Sequence, residues 1–167
     1  QLFGYEQVAK ADCEYPIDTH SRKQLAGRRR DLKDITVEAK VENIDVVTNF
    51  VNDILEENCC PMKIQMQIDV VIDEIFGNIS YYAYGADGGK ASVQAGIEKG
   101  MIVLVFIDQG IPYNPLENKD PDITLNLEER EIGGLGIYMV KKIMDEVSYE
   151  YMDGQNILRM RKSLSSR

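Results

Sequence analysis

"EREIGGLGIYMVKKIMDEV", residues 129–147, places Gly133, Gly134 and Gly136 directly before an apolar-periodic stretch. Apolar residues recur there at helical spacing, at Ile137, Val140, Met144 and Val147. Glycines let a ligand approach the backbone closely, and the N-terminus of a helix attracts phosphate. This stretch alone is equally compatible with a plain glycine-rich loop, so the rest of the sequence is needed to distinguish such a loop from a phosphate-binding segment.

The segments around this stretch carry alternating strand and helix patterns. Residues 34–41 alternate apolar and polar side chains, which predicts a half-buried strand. Further patterns predict, in order, helices over 42–58 and 62–85, a hairpin of 91–97 with 101–108, and a final hairpin of 147–152 with 156–162. Because 101–108 is continuously apolar, we expect it to be the more buried strand of its hairpin. The order predicts an α/β fold, a two-layer sandwich in which a mostly antiparallel mixed sheet carries the helices on one face.

The composition indicates one globular domain with an appendage, since 44% of the 167 residues are hydrophobic. We predict that the domain spans residues 34–163 and that residues 1–33 form an N-terminal linker or extension. A basic run, "HSRKQLAGRRRDLKD", lies at the junction. We interpret it as a solvated tail, with a docking site as the alternative.

The charge and the cysteines limit the classes of partner and the compartment. A net charge of −9 repels nucleic acid and anionic membranes, and the longest apolar run, 101–107, is too short to span a bilayer. Three cysteines and one histidine form neither a disulfide framework nor a zinc spacing. No signal peptide is visible, and a start at Gln1 suggests a piece of a longer protein. These features predict a cytoplasmic protein with no direct nucleic-acid contact and no membrane insertion.

Two polar residues on the second predicted helix are candidates for a pocket floor. Glu74 and Asn78 are four residues apart and therefore project from the same helical face. They lie at the border of the apolar arc of that helix, where a carboxylate and an amide can face a ligand. An ordinary exposed helix pair has the same spacing.

A second candidate follows the most apolar strand. Asp108 ends that strand, and Gly110 and Pro112 follow it. A carboxylate at the end of a buried strand can accept a hydrogen bond from a ligand amine, and Gly110 would let a flat ring lie close to the backbone. The alternative is a turn that only terminates the strand.

These motifs are more specific together than apart. Glu-x-x-x-Asn on a helix, Asp-x-Gly-x-Pro after a buried strand, a long loop, and Gly-Gly-Leu-Gly before a helix occur in this order. The combination resembles the GHKL (Bergerat-fold) ATPase superfamily of gyrase, histidine kinases and MutL proteins. Within it, the sequence is most similar to bacterial anti-sigma-factor serine/threonine kinases. The resemblance runs from about Asp34 to Lys162.

The resemblance implies ATP and Mg²⁺ as cofactors and gives roles to four residues. Asn78 would be the magnesium ligand, since its carbonyl oxygen suits a hard cation. Glu74 would be the catalytic base that accepts the proton of the attacking hydroxyl. Asp108 would bind the exocyclic amine of adenine, with Gly110 beside the ring.

The resemblance also implies a phosphate-binding segment and a lid. Backbone N–H groups would wrap the phosphates at Gly133, Gly134, Leu135 and Gly136. Residues 113–132 would form a lid over the nucleotide, and we expect this lid to be mobile without ligand because it lacks a periodic apolar face. Arg130 or Lys141 would offset phosphate charge.

Two positions depart from the family pattern. Tyr82 stands where the family commonly has a histidine. Ile132, rather than an arginine, immediately precedes the glycines, with Arg130 two residues earlier. These departures bear on phosphoryl transfer rather than on nucleotide binding.

The predicted function is that of an ATP-dependent serine/threonine kinase. It would phosphorylate a small antagonist (anti-anti-sigma) protein and regulate transcription by partner switching, with a sigma factor as a further partner. The alternative is a nucleotide-gated protein-binding module with little or no turnover, and a third hypothesis is a structural protein whose glycine loops bind nothing. The resemblance is also compatible with a homodimer. A histidine kinase is disfavoured because the only histidine, His20, lies in the N-terminal segment.

Overall fold

The computed structural model describes residues 32–117 and 135–165. The regular elements in chain order are β1 (Lys33–Glu38), α1 (Ile44–Glu57), α2 (Met62–Asn78), β2 (Lys90–Glu98), β3 (Met101–Asp108), α3 (Leu135–Ile143), β4 (Glu146–Met152) and β5 (Gln155–Ser163). Short 3₁₀ turns cover Val41–Asn43 and Pro115–Glu117, and a π-helical turn covers Ile79–Ala83. This order confirms the predicted succession of strands and helices.

The five strands form one sheet in the order β1-β2-β3-β5-β4. All pairings between the described strands are antiparallel, so the mixed character expected from the sequence is not found among them. The central strand is β3, and its last residue, Asp108, pairs with Ala91 of β2 on one side and with Asn156 of β5 on the other. The register therefore brings a second polar residue beside Asp108.

Two tight turns set the registers of the hairpins. Lys99 and Gly100 join β2 to β3 with φ values of +51° and +77°, and Asp153 and Gly154 join β4 to β5 with φ values of +53° and +79°. Two consecutive left-handed residues are typical of type I′ turns, whose twist matches that of the strands. Both hairpins thus follow from local sequence.

The helices pack on one face of the sheet and form the main core with it. On α2 the buried residues follow the helical period and include Ile64, Ile68, Val71, Ile72 and Ile75. They share the core with inward-facing strand residues, among them Ala91, Val93, Leu104 and Phe106. Val103 and Val105 alternate with these, point to the other face and are also buried. The expectation that 101–108 is the more buried strand of its hairpin is therefore confirmed.

Two helix ends differ from the sequence prediction. The predicted second helix extends to residue 85, whereas α2 ends at Asn78 and continues only as the π-helical turn before an extended Tyr84. The helical spacing after the glycines continues to Met144 and Val147, whereas α3 ends at Ile143, and Val147 lies in β4 as the predicted hairpin of 147–152 requires. The helix stops because the Asp145 N–H donates to the Arg161 carbonyl, 2.9 Å away, so that pairing with β5 takes over from the helical ladder.

The cysteine pair lies in the connection between α1 and α2. Cys60 is a buried free thiol, and burial raises the pKa of that thiol. Cys59 is disulfide-bonded, which the sequence analysis did not predict. In the described part of the chain, every helix is too short or too polar to cross a membrane.

Candidate functional site

Glu74 and Asn78 occupy the last turns of α2 at the rim of its buried face. Both side chains are partly exposed, whereas Ile75, Phe76 and Gly77 between them are buried. Within residues 32–117 and 135–165, no side-chain hydrogen bond holds either residue. Both side chains lie on one side of α2, as their spacing predicts, and their role toward a ligand stays a prediction.

The start of α3 lies directly against Glu74. Gly136 is the second residue of α3, and a Cβ built on it would overlap Glu74 Oε2 and lie 2.5 Å from Glu74 Cδ. Only glycine lets the carboxyl group come this close to the helix backbone. The first N–H groups of a helix lack intrahelical partners and carry partial positive charge. The structure thus joins the Glu-x-x-x-Asn motif to the beginning of the glycine-rich helix.

Part of the predicted phosphate-binding segment lies outside the described residues. This applies to Gly133, Gly134 and Arg130, and to residues 118–132 of the predicted lid. Leu135 and Gly136 are described as the first residues of α3, and the Leu135 side chain is exposed. The phosphate-binding role of all these residues stays a prediction.

Asp108 presents one carboxylate oxygen to the protein and leaves the other open. Its side chain is buried, and Oδ1 accepts hydrogen bonds from the Gly110 N–H at 2.9 Å and from Asn156 Nδ2 at 2.8 Å. No donor among the described residues meets Oδ2. A buried carboxylate with one free oxygen is suited to accept a hydrogen bond from a ligand amine.

Asn156 is a site residue that sequence reasoning missed. It is buried, and its Oδ1 accepts from the Tyr149 hydroxyl at 2.7 Å and from the Tyr113 N–H at 3.1 Å. A signal was present in the sequence, because Asn156 shares the inward-facing period of β5 with Leu158 and Met160. A polar residue in an apolar register indicates a buried hydrogen-bonding role.

Glycine is required at position 110 for a packing reason that the sequence did not reveal. A Cβ at this position would overlap the Ala83 carbonyl oxygen and lie 2.6 Å from Ala83 Cβ. The neighbouring Ile111 N–H also donates to the Ala83 carbonyl at 2.8 Å. Close packing against the π-helical turn therefore requires glycine here, and the predicted place beside an adenine ring is an additional role that stays a prediction.

Tyr84 braces the end of β3 and was also missed. Its hydroxyl accepts a hydrogen bond from the Gln109 N–H at 2.9 Å and donates to the Lys90 carbonyl. Burial raises the pKa of this hydroxyl. Because Gln109 directly follows Asp108, Tyr84 ties the Asp108 end of the sheet to the segment after α2.

Lys141 points from α3 toward the segment that follows Asp108. Its ammonium group donates to the Leu116 carbonyl at 3.4 Å, within the 3₁₀ turn Pro115–Glu117 of the predicted lid. This contact links α3 to residues 115–117. Whether Lys141 also offsets phosphate charge stays a prediction.

The chemistry of the donor set fits a magnesium ion held mainly by a nucleotide. In the described ranges there is no group of three or more histidine, cysteine or carboxylate side chains that could hold a metal. Mg²⁺ keeps several waters and commonly takes only one or two protein ligands in addition to substrate phosphates. The amide oxygen of Asn78, one turn from Glu74, meets no donor among the described residues and suits that mode.

Comparison with known proteins gives a family match and a fold match. The family described as "Histidine kinase-like ATPase domain" matches residues 37–162. Serine-protein kinase RsbW of Bacillus thuringiensis (strain Al Hakam) is 27% identical over 93 residues, which cover 53% of this chain and 58% of the relative. RsbW of Bacillus anthracis has the same identity and coverage. The chain thus spans little more than half the length of these relatives.

The solved structure of the RsbU and RsbW domains of Rv1364c from Mycobacterium tuberculosis is similar in fold. It superposes with a TM-score of 0.56 at 15% identity, covering 78% of this chain and 32% of that chain. At this identity the match bears on the fold alone. It supports the two-layer arrangement of three helices on a five-stranded antiparallel sheet.

Proposed function

We infer the function from a premise that the comparisons establish: the chain belongs to the histidine kinase-like ATPase domain family, of the GHKL type found in anti-sigma-factor kinases. We propose that it binds ATP with Mg²⁺. We further propose that it transfers the γ-phosphoryl group to a serine or threonine of a small antagonist protein. The alternative, a nucleotide-gated binding module with little turnover, uses the same nucleotide site.

The observation that carries this proposal is the contact between Glu74 and the first turn of α3. These residues are far apart in sequence, yet the Glu74 carboxylate occupies the space that a Cβ at position 136 would fill. A carboxylate beside a helix N-terminus can act on a hydroxyl next to a phosphate that the helix start attracts. Asp108, at the end of β3, supplies a separate acceptor for the base of the nucleotide.

Each of the site residues has a separate role in the proposed reaction. Asp108 Oδ2 accepts a hydrogen bond from the adenine amine and fixes the base. The backbone N–H groups at the start of α3 bind the phosphates. The serine oxygen attacks the γ-phosphorus while Glu74 accepts the hydroxyl proton, and the bond to the β-phosphate oxygen breaks to release ADP. Magnesium, held through Asn78, would neutralise charge on the phosphates.

A protein partner needs an accessible surface near this site, and the π-helical turn provides one. Tyr81 and Tyr82 are 66% and 72% exposed, and Ile111, next to Ala83, is 67% exposed. Large apolar side chains exposed together are typical of protein-binding surfaces. This surface favours a protein substrate or a protein ligand, and so supports both the kinase and the binding module.

Several finer predictions belong to the same proposal. We propose that the antagonist is an anti-anti-sigma protein and that a sigma factor is a second partner. We also propose a homodimer, cytoplasmic localisation, and an N-terminal extension over residues 1–33. The relatives named RsbW support the class of partner, although this chain matches only 58% of their length.

The test compares binding and turnover in variants of the full chain. Glu74→Gln should bind ATP like the wild type and transfer label from γ-labelled ATP to a protein of the source organism about 10²–10⁴-fold more slowly. Asp73→Asn is the matched control, because it removes a carboxylate from the exposed neighbouring position of α2. It should change neither ATP affinity nor the rate of label transfer. Wild-type binding without any transfer would favour the binding module. Absence of ATP binding to the wild type would refute both functions.

A further inference from the structure

We propose that Asn156 is a positioning residue for the nucleotide base, acting through Asp108. With Tyr149 it holds the Asp108 carboxylate so that Oδ1 is occupied and Oδ2 faces the ligand as a single acceptor. This arrangement selects purines with a 6-amino group. The inference rests on the proposed nucleotide site and names the residues that determine its base specificity.

The hydrogen bonds of Asn156 allow only one orientation of its amide. The Tyr113 N–H can only donate, and it lies 3.1 Å from the atom assigned as Oδ1. On the other side, Nδ2 lies 2.8 Å from Asp108 Oδ1 and 3.2 Å from the Ile111 carbonyl, both of which are acceptors. A flipped amide would place donor against donor and acceptor against acceptor. The Tyr149 hydroxyl, at 2.7 Å from Oδ1, reinforces the orientation.

The fixed amide in turn fixes Asp108. Two N–H groups, from Gly110 and Asn156, converge on Oδ1. The carboxylate therefore cannot rotate without losing both bonds, and Oδ2 has no donor in the described residues. An acceptor held in this way pairs with the exocyclic amine of adenine and opposes the O6 acceptor of guanine.

The backbone of the site does not depend on the Asn156 side chain. Asp108 and Asn156 face each other in the antiparallel register of β3 and β5, which continues over eight residue pairs from Met101↔Ser163. Tyr149 lies one strand further out, on β4, opposite Leu158. Loss of the Asn156 side-chain hydrogen bonds should therefore change the orientation of the Asp108 carboxylate more than the position of strand β3.

The experiment measures the affinity of the full chain for two probes, ATP and purine riboside triphosphate, which lacks the 6-amino group. Asn156→Leu keeps the number and branching of the side-chain heavy atoms and removes all side-chain hydrogen bonds. We expect it to weaken ATP about tenfold, the effect of one to two lost hydrogen bonds, and to leave purine riboside triphosphate within about twofold. Equal weakening of both probes would overturn the positioning role, because a structural defect does not distinguish the 6-amino group.

Tyr149→Phe keeps the test informative if Asn156→Leu does not fold. This variant removes only the hydroxyl that bonds Asn156 Oδ1, so we expect ATP to weaken about threefold and the other probe to be unchanged. Tyr151→Phe is the matched control, since Tyr151 lies on the same strand with an exposed side chain, and it should change neither affinity. An unchanged ATP affinity in Tyr149→Phe would count against the inference. If the wild type bound neither probe, the proposed nucleotide site would fail, and the inference with it.

Discussion

Replacing Gly136 by alanine should displace the Glu74 carboxyl group while leaving the fold intact. The new Cβ would lie 2.5 Å from Glu74 Cδ. Carbon atoms in favourable contact are about 3.5–4.0 Å apart, so the carboxyl group must withdraw by about 1 Å or more. Because it is the end of a flexible side chain, it can change rotamer without moving α2. A displacement of about 1 Å at a reacting group can reduce the rate about 10²-fold.

The stability of the same variant should not fall. Alanine in a helix is more favourable than glycine by about 0.5–1 kcal/mol, which offsets the cost of moving one side chain. Gly77→Ala is the matched control, since Gly77 is a buried glycine of α2 with nothing within 4 Å of its Cβ position. It should gain about 0.5–1 kcal/mol in the free energy of unfolding and keep its turnover.

The assay combines urea unfolding, ATP titration by calorimetry and label transfer to protein. Gly136→Ala should match the wild type in unfolding free energy to within about 1 kcal/mol and should lose far more in rate than in ATP affinity. The double variant with Glu74→Gln should be no slower than Glu74→Gln alone, because both changes remove the same carboxylate function. Wild-type turnover in Gly136→Ala, or two independent rate losses that multiply, would refute the reasoning.

Four further predictions address the base, the metal, the core and the pH dependence. Asp108→Asn should weaken ATP by about 1–3 kcal/mol in calorimetry, since it leaves a buried amine contact imperfectly paired; unchanged affinity would contradict the adenine assignment. Asn78→Ala should abolish the difference between ATP titrations with and without Mg²⁺, and a difference of wild-type size would remove Asn78 from the metal site. Phe106→Ala should lower the free energy of unfolding by about 3–5 kcal/mol in urea, and a loss below about 1 kcal/mol would argue against the described core. Burial raises the pKa of Tyr149 above its ordinary value of 10.0, so the folded state holds this proton longer than the unfolded state does. The stabilisation that comes from this difference in pKa is therefore fully present below about pH 10 and is lost as the pH rises further. Tyr149→Phe should lose less free energy of unfolding than the wild type as the pH is raised above about 10. An equal loss in both proteins would contradict this.

Local sequence determined the elements of this protein and the spacing within its motifs. Alternation over 91–97 and continuous apolarity over 101–108 specify strands, and the Lys99–Gly100 and Asp153–Gly154 turns specify their hairpins. The four-residue spacing of Glu74 and Asn78 places both on one side of α2 for the same local reason. Periodicity and turn geometry act over a few residues, and the chain itself encodes them.

Tertiary structure alone decided which of these faces meet. Asp108 and Asn156 are 48 residues apart in the chain, and they bond only because β5 inserts between β3 and β4. The end of α3 was likewise set by pairing of the following segment with β5, and the reason for glycine at Gly136 by the approach of Glu74 from another helix. Each of these depends on strand order and helix packing. Residues that are distant in sequence leave no joint pattern in it, so the orientation of Asp108 and the place of Glu74 follow from the folded molecule.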